Sequence, residues 1–503
     1  MNLLTSHWIP VRLADGSHAN LCVQDIPASG AVGIAHTRAD FAALTLELVI
    51  DIFQTIAPLE DDSQLEAWLD GESPALSAAI AAWAPAFELF GDQGFMQLRS
   101  DKDERIPAGR LIYEAPGEQT LKRRTDFFVK DADSQVLCPR CAAVGLYLNQ
   151  AHARTGGKGY FAGPRGGSTL AAIVQGDSLW ETICLNLLPD GWFDSHFGTE
   201  GLAQATPQLL PWCNQEGLVE ESQVHPAGRF GRYGVLWWSP RAVQLFPEAN
   251  PQNRPCDACG EIHPELVTEI TMKAIKARLP DGVRHPRTAW LPDKGNTGRP
   301  LEVPMTSFTA ESWLTLLLTE HLDNALPAYV ALTGAARESV RLRCFGYSMD
   351  KASPKVWMDD TSPLVLPESP EHRMLMRDTL IPLVKLIDGM TDALFKALFV
   401  PAANKVSSDT PLFPFVVNRY QAIQMLWQQM RPTLLEALKR HEPLTQEQEA
   451  LVGSECRSRT LKLFDLATAP LMSDPRYARL LINRKRKLLK TVTPKTTAKP
   501  KKA

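Results

Sequence analysis

The chain has 503 residues, of which 44% are hydrophobic and 22% charged, with nine cysteines and a net charge of −4. That length exceeds one ordinary hydrophobic core and predicts more than one domain, and the composition is globular. No apolar run reaches the ~20 residues of a membrane helix. The opening MNLLTSHWIPVRLADG lacks the basic and apolar regions of a secretory signal, so a cytoplasmic location is expected.

The charge is unevenly spread. From Arg476 onward there are eleven Lys or Arg and no acid, so removing them from −4 leaves about −15 on residues 1–475. A body this acidic is no general DNA sponge. Nucleic-acid contact must come from local basic patches or a surface shared with other subunits.

In chain order, IPVRLADGSHANLCVQDI alternates around Asp15-Gly16 and predicts a hairpin. TRADFAALTLELVIDIFQTIA has apolar residues at i, i+3 and i+4, which predicts a helix with Asp40 as its cap. SQLEAWLDG and ALSAAIAAWAPAFELFG continue as helices that stop at glycines. RYGVLWWSP and AVQLF read as strands; TEITMKAIKARL does too, although its spacing also allows a helix. Without regular strand–helix alternation, residues 1–365 are expected to form a large mixed α/β domain. From about Leu366 four long segments have helical periodicity, which predicts a four-helix bundle over residues 366–490. Pro382 should kink the first of these helices or mark its start. Residues 491–503 read as a basic flexible tail. The fold class is therefore α+β.

Five cysteines are isolated and read as buried apolar residues. The other four form two pairs, Cys138-Pro-Arg-Cys141 and Cys256-Asp-Ala-Cys259. A two-residue gap lets two thiolates face one cation, and two such knuckles complete a tetrahedral zinc site. A redox dithiol needs only one such pair, and disulfides are disfavoured in the cytoplasm. The metal site is expected to be closed and structural, stapling loops 115 residues apart.

Fourteen residues beyond Cys141 begins TGGKGYFAGPRGG, with six glycines in thirteen positions. Residues 157–162 formally satisfy a GxGxxA dinucleotide pattern, but no strand precedes them and Gly163-Pro164 interrupts any following helix. The phosphate-loop pattern GxxxxGK[ST] is absent. A surface loop without a partner is one reading. The functional alternative is close backbone approach to nucleic acid, with Lys158 and Arg165 supplying cations. LKRRTDFFVK at 121–130 and TMKAIKARLPDGVRHPR at 271–287, with Lys273, Lys276, Arg278, Arg284 and Arg287, are further basic patches that could also be solvated faces. No GxSxG, HExxH or metal-spaced His/Asp pair occurs, so no enzyme activity is expected.

Together these residues resemble the CasA family, the large subunit of the type I-E CRISPR surveillance complex Cascade. The resemblance runs nearly end to end: MNLL…WIPVR, a CxxC after a Phe-Val loop, the glycine stretch closing in RGG, the second CxxC, GYSMDKAS and the helical segments. It implies a non-catalytic subunit that recognises the protospacer-adjacent motif (PAM) of double-stranded DNA and aids duplex opening for guide RNA pairing. It also implies a docking platform for a helicase-nuclease. Implied partners are the other Cascade subunits (backbone, small-subunit and guide-end proteins) and CRISPR RNA, with no membrane.

The family's minor-groove loop falls on Gly156, Gly157, Lys158 and Gly159, with Lys158 standing where the family pattern has glycine. Its lysine finger falls on Lys273 or Lys276. Its wedge, glutamine then a small residue, falls on Lys351 and Ala352, so the glutamine is replaced. Phe128, Val129 and Lys130 match the loop that meets the guide-bearing end of the complex, and Cys138, Cys141, Cys256 and Cys259 match the paired zinc ligands. The rival readings are a nuclease with an unrecognised acidic site and a scaffold subunit without DNA contact.

Overall fold

A computed structural model describes all residues except 102–103, 125–128, 155–159, 190, 194–205, 221–229, 281–282, 284, 292–298, 304–315, 317–340, 351–352, 364–368, 401–412, 441 and 493–503. The chain divides into two compact units, Met1–Thr306 with Asp323–Leu364, and Ser307–Leu322 with Val365–Ala503.

The first unit is a mixed α/β body whose described strands pair antiparallel. β1 (Ile9–Leu13) and β2 (His18–Leu21) form the expected hairpin, and β3 (Ala31–Ile34) adds to the other edge of β1. Its turn uses Gly16 at φ +85° and a hydrogen bond from the Ser17 N–H to Asp15. α1 (Ala39–Ile56) is buried on almost every side, which makes it a core helix rather than a surface one. Asp40 is not its cap. The residue before the helix is Arg38, whose guanidinium grips both Asp40 oxygens at 3.1 and 2.8 Å.

Asp61 caps α2 (Asp62–Leu69), which stops at Asp70 and Gly71 as read. α3 (Leu76–Trp83) ends well before the expected glycine, because Pro85 cannot continue the hydrogen-bond ladder. After β4 (Ile106–Pro107) and α4 (Glu118–Lys122) comes α5 (Pro139–Ala151), which packs against α1 and the later strands. β5 (Ala171–Gln175) and α6 (Leu179–Cys184) follow. RYGVLW is a helix, α7 (Arg232–Trp237), not a strand. A short apolar run fits either element, and here the helix seats Trp237 among Phe87, Phe95 and Trp212 at centroid distances of 5.7–5.8 Å.

β6 (Arg241–Ala249) and β7 (Glu265–Ala274) form a sheet in the order β4-β7-β6, so TEITMKA is strand. β8 (Trp290–Leu291) and β9 (Arg299–Pro300) make a short pair. β10 (Arg341–Asp350) and β11 (Ser353–Pro363) form a long hairpin with β5 on the free edge of β10.

The second unit contains α8 (Pro370–Leu398), α9 (Phe413–Leu438), α10 (Gln446–Met472) and α11 (Pro475–Val492). α8 packs on the other three, and α10 on α9 and α11. Pro382 does not start α8; the helix begins at Pro370, capped by Ser369, and runs through it. α11 buries Leu481, Leu488 and Val492, while Lys485 pairs with Asp465 of α10 at 2.5 Å. Among the described residues no helix is long and apolar enough to cross a membrane.

Two glycines make the packing testable. A Cβ on Gly109 would lie 1.9 Å from the Ser134 carbonyl oxygen, whereas one on Gly33 would meet nothing within 4 Å. Gly109→Ala should lower the urea midpoint by the equivalent of about 1–3 kcal/mol. Gly33→Ala should move it by less than about 0.5 kcal/mol.

Candidate metal centre and nucleic-acid interface

The first cysteine knuckle is the start of α5. Cys138 is its N-cap residue, and its Sγ accepts from the Cys141 N–H at 3.4 Å. The second knuckle folds back through Gly260, whose N–H donates to the Cys256 carbonyl at 2.8 Å and whose φ of +76° favours glycine. Asp257 joins the two. Its carboxylate accepts from the N–H groups of Gln135 and Val136 at 2.7 and 2.8 Å, and its own N–H donates to the Val136 carbonyl at 3.1 Å. The four buried Sγ atoms lie within 4.8 Å of one another, with Cys138 and Cys259 3.9 Å apart.

A metal–sulfur distance of ~2.3 Å gives a tetrahedral sulfur edge of about 3.8 Å, so the donor set fits one divalent cation. The Cys138 N–H reaches the Cys256 Sγ at 3.2 Å. Hydrogen bonds from the Cys138 and Cys141 side chains hold the Cys256 thiol down to about 7, which favours a thiolate ligand. Burial pushes the Cys141 thiol up, a cost that a bound cation would offset. His36 sets its Nε2 3.4 Å from the Cys141 Sγ, a neighbour 105 residues away that no spacing pattern announces. Cys22, Cys184, Cys213, Cys344 and Cys456 are buried, as read.

The other end of α5 leads into the glycine stretch. Residues 155–159, which include the candidates Gly156, Gly157, Lys158 and Gly159, lie outside the described residues, but both flanks are in place. The Gly163 N–H donates to the Ala153 carbonyl at 2.8 Å and the Arg165 N–H to the Ala151 carbonyl at 3.2 Å. A Cβ on Gly163 would sit 2.2 Å from the Gln150 oxygen, and one on Gly167 2.4 Å from the Arg154 Cα. These two glycines serve close packing against the end of α5.

Arg165 and Arg287 are not available to DNA. Both are buried, and they face two acids of α1. Arg165 pairs with Glu47 at 2.5 Å, and Arg287 pairs with Asp51, which also accepts from the Tyr147 hydroxyl at 2.6 Å. Burial alone would raise the Glu47 carboxyl, but Arg165 and then His152 hold it below the usual carboxylate range. Burial keeps His152 below the ordinary imidazole range, so a neutral ring donates its Nε2–H to Glu47 at 2.7 Å. Sequence shows cations and acids but not which are folded inward.

Lys273, on β7, is paired with Asp101 and lies 3.3 Å from Glu220; Lys276 donates to the Glu220 carbonyl at 2.9 Å. Val129 is half-buried and Lys130 exposed, while Phe128 lies outside the described residues. Lys351 and Ala352 also lie outside them, between the paired Asp350 and Ser353 of the β10–β11 hairpin. Beside the glycine flanks is a cleft of about 710 Å³ lined by Arg110, Tyr113, Asn149, Arg154, Tyr160 and Arg241. The sequence patterns did not single it out, because its residues come from well-separated segments of the chain.

These features define a cysteine-pinned α+β body with a glycine-rich connection, followed by long C-terminal helices. The chain belongs to the CRISPR-associated protein Cse1 family, whose model matches residues 2–462. Its fold is similar to that of CasA from Thermus thermophilus, at 16% identity and a TM-score of 0.66 over 98% of this chain and 99% of that one. Cse1 from Thermobifida fusca is similar at 16% identity and 0.63, with 98% of each chain covered. A chain of a CRISPR RNA-guided surveillance complex is similar at 19% identity and 0.62, over 97% of this chain and 99% of that one. Identities this low establish the fold and leave side-chain roles to the residues themselves.

Elemental analysis of the purified chain should return one divalent metal ion per chain, and Cys256→Ser should remove it and lower the melting temperature. A metal-free chain of full stability would contradict the fit.

Proposed function

We propose that the chain is the large, non-catalytic subunit of a type I-E Cascade complex, acting in the cytoplasm with the other subunits and CRISPR RNA. In this reading it recognises the PAM in duplex DNA, helps destabilise the duplex so that guide RNA can pair, and offers a docking surface to the helicase-nuclease. Family membership over residues 2–462 supports the assignment, as does the likeness to a chain of an RNA-guided surveillance complex. The observation that carries the DNA-reading part is the anchoring of the glycine stretch. A connection rich in glycine starts and ends on backbone packed against α5, the helix whose other end is a metal knuckle.

Zinc is the proposed ion, held by Cys138, Cys141, Cys256 and Cys259. Four protein ligands leave no position for a substrate, so its contribution is to folding. Gly156, Gly157 and Gly159 would let backbone approach base edges in a groove too narrow for most side chains, with Lys158 reaching phosphate or base acceptors. Lys351 and Ala352, on the hairpin, would intrude between base pairs at the opening point. Lys273 or Lys276 would contact the duplex after exchanging their acidic partners for DNA acceptors. Exposed ion pairs are worth only about 0–1 kcal/mol, so that exchange is cheap beside the gain from counterion release. Phe128, Val129 and Lys130 would meet the guide-bearing end of the complex. The acidic body suits such a division, since base pairing reads most of the sequence and neighbouring subunits carry the basic channel.

The test is DNA binding by the assembled complex at fixed salt. Lys158→Ala and Lys351→Ala should each weaken binding to PAM-bearing duplex by about tenfold, within the range for lost specific contacts, while assembly is unchanged. Unaltered affinity would remove these contacts from the reading. Magnesium-dependent cleavage of DNA by the purified chain would favour an enzyme instead.

A further inference from the structure

We infer that Glu47 and Arg241 are positioning residues, each bridging the two stems that flank the glycine stretch, and that the stem spacing they set governs motif discrimination. The inference rests on the DNA-reading role proposed above and identifies what holds the reader in place.

The outgoing stem is His152–Arg154 and the returning stem is 160–165. Two side chains from elsewhere in the fold touch both. Glu47, in the middle of α1, places Oε2 2.7 Å from the His152 Nε2 and Oε1 2.5 Å from the Arg165 guanidinium, so one carboxylate serves both stems. Arg241, the first residue of β6, repeats the arrangement nearer the glycine stretch. Its Nη2 donates to the Arg154 carbonyl at 2.6 Å and its Nη1 to the Phe161 carbonyl at 2.8 Å, with the guanidinium 4.7 Å from the Tyr160 ring centre. The Gly163 N–H bond to Ala153 ties the same stems through backbone.

The chemistry of the two groups suits this use. A planar guanidinium presents a rigid fork of donors, so it fixes the distance between two carbonyls; an ammonium on a flexible stem carries the same charge without that constraint. A buried carboxylate is costly unless paired, and an apolar set in place of Glu47 and both its partners would often be no less stable. What Glu47 adds is geometry. Its two oxygens face residues on opposite stems, and both it and Arg165 are fully excluded from solvent. Between them the two bridges tie the stem His152–Arg154 to the stem 160–165 through side chains that need not touch DNA.

The experiment uses the complex assembled with guide RNA and compares the parent with Arg241→Lys, Glu47→Gln and Lys158→Ala. Amide hydrogen exchange is read at residues 152–154, 160–163 and 165, and affinity is measured for duplexes with and without the motif at one salt concentration. Arg241→Lys should assemble normally and raise stem exchange by about tenfold, the signature of local opening. It should lower the affinity ratio between motif-bearing and motif-free duplex by about tenfold with motif-free binding unchanged. Simple destabilisation would reduce both affinities together. Glu47→Gln should act in the same direction; if it fails to fold, Arg241→Lys carries the test alone.

Unchanged stem exchange in folded Arg241→Lys overturns the inference. Raised exchange with an unchanged affinity ratio, while Lys158→Ala lowers that ratio, overturns it and leaves the DNA-reading role standing. If Lys158→Ala also leaves the ratio unchanged, the DNA-reading role falls and the inference falls with it.

Discussion

Helix Pro139–Ala151 is fastened at both ends, and α1, β6 and β7 pack on it. At its start, Cys138 and Cys141 meet the knuckle Cys256–Cys259 in a cluster of four thiols that cannot all ionise together without a cation. Past its end, His152 and Arg165 share Glu47, and Arg287 faces Asp51 one turn further along the same partner helix. One anchor is a cluster of soft donors that fits a metal ion, and the other is made of buried opposite charges. Both are unforgiving of a missing partner, since removing one leaves thiolates or a cation uncompensated in a low-dielectric interior.

The fastening reaches the hairpin proposed to part the strands. The Arg154 guanidinium lies 4.8 Å from the Tyr113 ring centre, and Tyr113 lies 5.5 Å from the Tyr347 ring of the hairpin. The Tyr347 hydroxyl donates to Asp40, which holds Arg38 at the start of the core helix. A stem of the glycine stretch and a strand of the hairpin are thus packed through one continuous set of rings and charges. The proposed role, reading a short motif and then opening the duplex, would call for those two parts at a set separation, and rigid side-chain packing holds the flanking residues at one.

Much of this was legible in the sequence, for reasons that differ by element. Asp15-Gly16 announced its hairpin because that turn selects for glycine, and the C-terminal helices were readable because periodicity sustained over 18–29 residues is hard to mistake. The thiol cluster followed from spacing alone. RYGVLW was misread because six apolar-rich residues have no decisive period, and the end of the 76–83 helix because Pro85 acts before any glycine does. The misread cations are more instructive. Arg165 and Arg287 stand in basic, glycine- or proline-rich text that looks solvent-facing, yet their partners Glu47 and Asp51 lie on a helix more than a hundred residues earlier. Nothing local distinguishes a cation reaching for phosphate from one buried against a distant carboxylate, and only the fold makes that pairing.

In the proposed role, a helix anchored by thiols presents the glycine stretch to duplex DNA. The most direct measurement places a photo-crosslinking amino acid at position 158 in the assembled complex and maps the attached nucleotide. Crosslinks to base pairs at the motif are expected, dependent on its presence and lost when the cluster is disrupted by Cys256→Ser. Equal crosslinking to motif-free duplex, or none to DNA at all, would contradict it.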